Sequence, residues 1–143
     1  MKLQKTTLIG FLTLILLLIV IIGHFLPPTG VLITPVTISL MAGVIMFTNN
    51  EFSILIKSIL CYLYIGLNDI GIKLFAGGIH DSEGTGWIHV MLFIGLVPCF
   101  IMLLIGVFQD KGSTNWIKAI SILVFILLIF IHLQIFETLG MVD

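Results

Sequence analysis

The stretch from Asn68 to Trp87 holds most of the side chains in this chain that could do chemistry. Asp69 and Lys73 stand four residues apart. On a helix that spacing puts them on one face, acid first, where they can pair. Tyr62 and Gly66 share the face. Further along, His80, Asp81, Glu83 and His89 are proton-transfer and metal-ligand types. With Asp69 these four form the candidate catalytic set. General acid–base work needs titratable groups tuned by burial and by their neighbours, and a pocket at a membrane boundary offers both.

A metal reading uses the same loop. His80, Asp81, Glu83 and His89 would hold a divalent metal, with His24 and His132 as additional ligands if their helices meet. The pattern Asp81-x-Glu83-x-Thr85-Gly86 follows the first half of a calcium loop, but the twelfth position, where such a loop needs a bidentate Glu, is Leu92. No HxxxH or HExxH pair supports zinc. His24 and His132 are single histidines on separate segments, the arrangement a bis-histidine haem uses, with no second pair behind them. Ser82 lies near His80 without a nucleophile motif around it. Cys61 and Cys99 read as small apolar side chains inside helices.

The elements that must position these groups are set by composition. The chain has 143 residues, 59% hydrophobic and 9% charged, with a mean hydropathy of +1.30. Soluble domains carry roughly 25% charge, so a water-soluble globule is excluded. Disorder is excluded too, because it needs low hydrophobicity and high net charge. The six cationic side chains are all lysines. They make no basic stripe, so nucleic acid is not an expected partner.

Apolar runs of about 18 residues or more read as transmembrane helices, since ~20 residues cross a ~30 Å core. Five are present, at residues 7–26, 30–48, 52–76, 87–108 and 116–136. The expected fold is an all-α, polytopic membrane helix bundle, a single integral membrane domain over residues 1–143. The number falls to four spans if 30–48, bracketed by Pro27, Pro28 and Pro35, is re-entrant. The first run is too long for a signal peptide and has no small-x-small cleavage site, so it reads as a retained helix. Gly77 and Gly78 read as the end of the third helix, and Thr85 as the N-cap of the fourth. Small and polar residues mark the inward stripes. These are Gly10, Thr13, Leu17, Val20 and His24 on the first helix, Ser39 and Gly43 on the second, and Ser121, Leu128 and His132 on the fifth.

Cytoplasmic flanks carry excess lysine. With the N-terminus in the cytoplasm, Lys2, Lys5, Lys57, Lys111 and Lys118 fall at the inner face and only Lys73 near the outer one. All four histidines then lie at the outer face. The expected location is a bacterial inner (plasma) membrane, with the chain's far end outside. Three functions follow as expectations. The first is an outer-face acid–base or metal-assisted enzyme on a lipid-linked or envelope substrate. The second is a non-catalytic subunit or assembly partner, docking on other membrane-protein subunits or on its own copies. The third, an ion transporter, is disfavoured because the inner halves of the spans are nearly all apolar. Beyond the lipid bilayer itself, no partner is named by the residues.

Overall fold

The structure, a computed structural model, describes residues 4–49, 51–77 and 81–141. Among them it has five α-helices and no strand: α1 (Lys5–Phe25), α2 (Pro27–Phe47), α3 (Ile54–Phe75), α4 (Ser82–Gln109) and α5 (Asn115–Ile135). Each is long and apolar enough to cross a membrane. The chain is an integral membrane helix bundle.

Local chemistry explains the boundaries. Pro27 and Pro28 occupy the first turn of α2, where a missing N–H costs nothing and a fixed φ suits the helix. They start the helix instead of interrupting it. α2 then runs for 21 residues with Pro35 inside. The backbone oxygen of Pro35 accepts from Ser39 Oγ at 2.6 Å, and Thr34 and Thr37 donate to Gly30 and Ile33 in the same manner. The re-entrant alternative for residues 30–48 is thereby replaced by a full-length helix. Ser53 and Thr114 cap α3 and α5 through their hydroxyls, the usual N-cap arrangement.

The largest departure from expectation is α4. It begins at Ser82 and not at Trp87, and its N-cap is Asp81, whose carboxylate accepts from Gly84 N at 2.6 Å. Thr85 lies inside the first turn and donates to Asp81 O. Glu83 adds a second carboxylate to that turn, where negative charge offsets the helix dipole. At 28 residues the helix is about 42 Å long. It therefore outruns a ~30 Å hydrocarbon core.

Short connections make neighbouring helices antiparallel. One end of the bundle collects the ends of α1, α3 and α5 with the starts of α2 and α4. We call it the histidine end, because His24, His89 and His132 lie there. The other, the lysine end, carries Lys5, Lys57, Lys111 and Lys118. α2 packs most extensively on α4, and α3 touches all four other helices. The shared core includes Leu8, Leu12, Ile38, Met41, Ile65 and Leu103. α1 and α5 flank it and bury only three residues each. Outward positions such as Leu18, Val36, Val97 and Phe130 are exposed and apolar, the surface a bilayer solvates.

The expected inward stripes are met in part. Val20 packs on Gly71, Thr13 Oγ1 bonds the Tyr64 hydroxyl at 3.0 Å, and Ser121 and His132 are buried. Leu17 instead faces outward, as does Gly10. α1 buries Leu8, Leu12 and Gly23. At the lysine end Lys57 Nζ donates to Met46 O and Thr48 O, each at 3.2 Å, and so satisfies the last carbonyls of α2. Asp110, just past α4, is held below the ordinary carboxylate range, first by a hydrogen bond from Ser113. A lowered carboxylate favours the folded loop at neutral pH, and that contribution is lost as pH falls through the lowered value.

Candidate functional site

Near the end of α3, Asn68, Asp69 and Lys73 are all buried. A carboxylate and an ammonium taken out of water each cost several kcal/mol unless well paired. Here they are paired. Lys73 Nζ lies 2.7 Å from Asp69 Oδ2 and donates to Phe136 O at 2.8 Å. The i, i+4 pairing expected from spacing is therefore formed, and it lies inside the protein, with no snorkelling to the surface.

The third member comes from α5. His132 Nε2 lies 2.9 Å from the same Asp69 Oδ2. A carboxylate oxygen only accepts, so His132 donates through Nε2. One oxygen of Asp69 thus receives two basic partners. The other, Oδ1, is buried with no hydrogen-bond partner among the described residues, and so is His132 Nδ1. Asn68 is in the same state at both ends of its amide. Buried polar atoms are nearly always paired, so this end of α3 is polar well beyond what its ion pair uses.

Packing fixes the imidazole. Gly66 faces it so closely that a Cβ there would lie 3.2 Å from His132 Nδ1. The Tyr62 ring stands edge-on at 6.0 Å between centroids. The Phe136 ring covers it at 4.8 Å. Tyr62, Gly66, Asp69 and Lys73 thus form one stripe of α3 that receives α5.

The other sequence candidates are placed differently. His80 lies outside the described residues. Asp81 is exposed and serves as the α4 cap, and Glu83 is exposed in the first turn. His89 is half-buried, with Nε2 buried and unpartnered among the described residues. His24 is exposed, and its Nδ1 lies 2.9 Å from Phe75 O, which ties the end of α1 to the end of α3. Among the described residues no three His, Cys, Asp or Glu side chains come close enough to hold a metal ion. Asp81, Glu83 and His89 are thus not assembled as a ligand set, and neither are His24 and His132. At Asp69 the Lys73 ammonium already fills the cation's place. Cys61 and Cys99 are buried free thiols.

Asp81 and Glu83 instead line a cleft of about 400 Å³ between the starts of α2 and α4, with Pro28, Val31, Leu32, Gly84 and Trp87. It shares no residue with the Asp69 cluster, though both lie at the histidine end.

Sequence reasoning found Asp69 and Lys73 but not their union with His132, which stands 63 positions away. His132 was expected as an additional metal ligand and on the inward stripe of the fifth helix, and it does face inward. Nothing in the sequence signalled that its partner there would be Asp69.

No protein family, curated protein or solved structure matches this chain.

Proposed function

We propose that this membrane protein carries out acid–base chemistry at the Asp69–His132 pair, on a lipid-linked or envelope substrate. One observation carries the reading. His132 is oriented by a buried carboxylate through Nε2 while Nδ1 has no partner among the described residues. An imidazole anchored through one nitrogen can exchange a proton through the other. Lys73 supplies a fixed positive charge beside it, suited to steadying negative charge that develops during reaction. Ionisable residues within membrane spans are costly and tend to mark functional sites.

A second reading is a non-catalytic subunit, in which the cluster is a structural tie. It is favoured by the sparse burial of α5. The bonds from Asp69 to His132 and from Lys73 to Phe136 O hold that helix to α3, and polar bonds of this kind join helices in lipid.

The two readings separate on conservative variants. Asp69→Asn and His132→Gln keep size and hydrogen-bonding capacity but change proton chemistry. Expressed at matched membrane levels in cells lacking the native gene, each is expected to reproduce the loss-of-gene phenotype and lipid-extract mass spectrum. Wild-type behaviour of both variants would sink the acid–base reading and favour the tie.

For orientation, the lysine end is proposed to face the cytoplasm of a bacterial inner membrane, by the excess of lysine there. With Cys61 and Cys99 replaced by Ser, a membrane-impermeant thiol reagent applied to intact cells is expected to label Ser82→Cys and spare Ser113→Cys. The opposite pattern inverts the topology.

A further inference from the structure

We propose that the segment Phe136–Gly140, which follows α5, is a lid over the Asp69–Lys73–His132 centre, and that it opens to admit a reactant from the membrane–water boundary. The proposal rests on the acid–base reading of that centre and adds how the centre is reached.

Three contacts hold the segment down. The Phe136 carbonyl accepts from Lys73 Nζ at 2.8 Å. Its ring lies on His132 at 4.8 Å. Gly140 comes down on Lys73 itself, so closely that a Cβ there would run into the Lys73 carbonyl oxygen. Gly140 also has φ +82°, and among the described residues only glycine adopts a positive φ. The left-handed backbone at Gly140 folds this segment back onto the charge cluster. Side chains with a Cβ are disfavoured in that conformation.

What lies beneath needs access. Asp69 Oδ1 and His132 Nδ1 are buried and unpartnered among the described residues, and His132 is 2% exposed. A proton-transfer group sealed to that degree can meet a substrate only if something moves. The helices on either side have continuous hydrogen-bond ladders. The turn at 136–140 does not. Beyond α5 its backbone is closed by isolated turn bonds, among them Leu139 N to Phe136 O at 3.4 Å and Met141 N to Thr138 O at 3.2 Å. Segments outside a helix ladder open at lower free energy than the helices they follow, as active-site lids do.

The test reads access directly and needs no activity assay. Diethyl pyrocarbonate modifies accessible imidazoles, and peptide mass spectrometry of the detergent-solubilised protein gives a separate rate for each histidine. In the wild type, His132 is expected to react far more slowly than the exposed His24. Gly140→Ala is expected to raise the His132 rate about ten-fold, the factor corresponding to a Cβ forced into the left-handed region, with the His24 rate unchanged. Phe136→Ala removes the covering ring without touching the turn and is expected to act in the same direction, so the proposal stays testable if one variant fails to fold.

An unchanged His132 rate in both variants overturns the lid. So does an equal rise at His24, which would mean general loosening. Failure of the acid–base reading looks different: the lid variants would expose His132 while Asp69→Asn and His132→Gln keep the wild-type phenotype.

Discussion

Asp69→Ala is expected to destabilise the protein strongly, with a loss of about 3–5 kcal/mol. The reason lies in what it leaves behind. Lys73 and His132 both bond Asp69 Oδ2, and both are buried. Without the carboxylate, the ammonium keeps, among the described residues, only the Phe136 carbonyl, and the imidazole loses its acceptor. Uncompensated buried charge is far more costly than the paired ion is beneficial. The same physics predicts a rescue. The triple variant Asp69→Leu, Lys73→Met, His132→Leu removes every charged partner together and fills similar volume. Its stability is expected within about 1 kcal/mol of wild type, or above it, because buried ion pairs replaced by packed apolar side chains are often neutral to stabilising. Unfolding in mixed micelles, followed by helix content, measures both. A rescued fold with a lost phenotype would separate the chemical from the structural role of the cluster.

Gly30→Ala is expected to cost about 2–3 kcal/mol through overpacking. A Cβ on Gly30 would run into the Cα of Gly23 and lie 2.9 Å from its backbone N. Backbone atoms cannot rotate away as a side chain would. Nor can the two helices simply part, since Leu26 alone connects α1 to α2. The hairpin would have to splay, and α2 would drag its broad contact with α4. Gly10→Ala is the matched control, because a Cβ there meets nothing within 4 Å. It is expected to be neutral or mildly stabilising, since Ala is the better helix former. Thermal unfolding of the two variants side by side reads the difference. Equal midpoints would mean that the close approach of α1 and α2 carries no constraint.

The helices were legible because a bilayer imposes a simple rule, a long apolar run with its backbone satisfied internally. Where turn chemistry competed with helix, reading by residue type failed. Thr85 reads as an N-cap, yet Gly84-Thr85-Gly86 is helical, because Asp81 caps the helix from upstream and Glu83 stands in its first turn. The Pro27-Pro28 pair reads as a break, yet it opens α2. The site was half legible. Asp69 and Lys73 declare themselves by spacing. His132 joins them only through the packing of α5 on α3, a relation that no local pattern encodes. His24, His89 and His132 do share one end of the bundle, but sharing an end is not convergence: His24 turns to the Phe75 carbonyl, while His132 turns to Asp69.

His132 on α5 and the Phe136 carbonyl just beyond it complete the cluster, so its parts are made at different times. Synthesis runs from α1 onward, so Asp69 and Lys73 enter the membrane before either of these partners exists. During that interval they have only each other, and α3 is the least apolar of the five helices. Docking of α5 with the turn that follows it then completes the charge network and covers it in one event. Chains halted before α5 leave this pair without His132 and the Phe136 carbonyl, and pulse-chase labelling is expected to show them degraded faster than chains that carry α5.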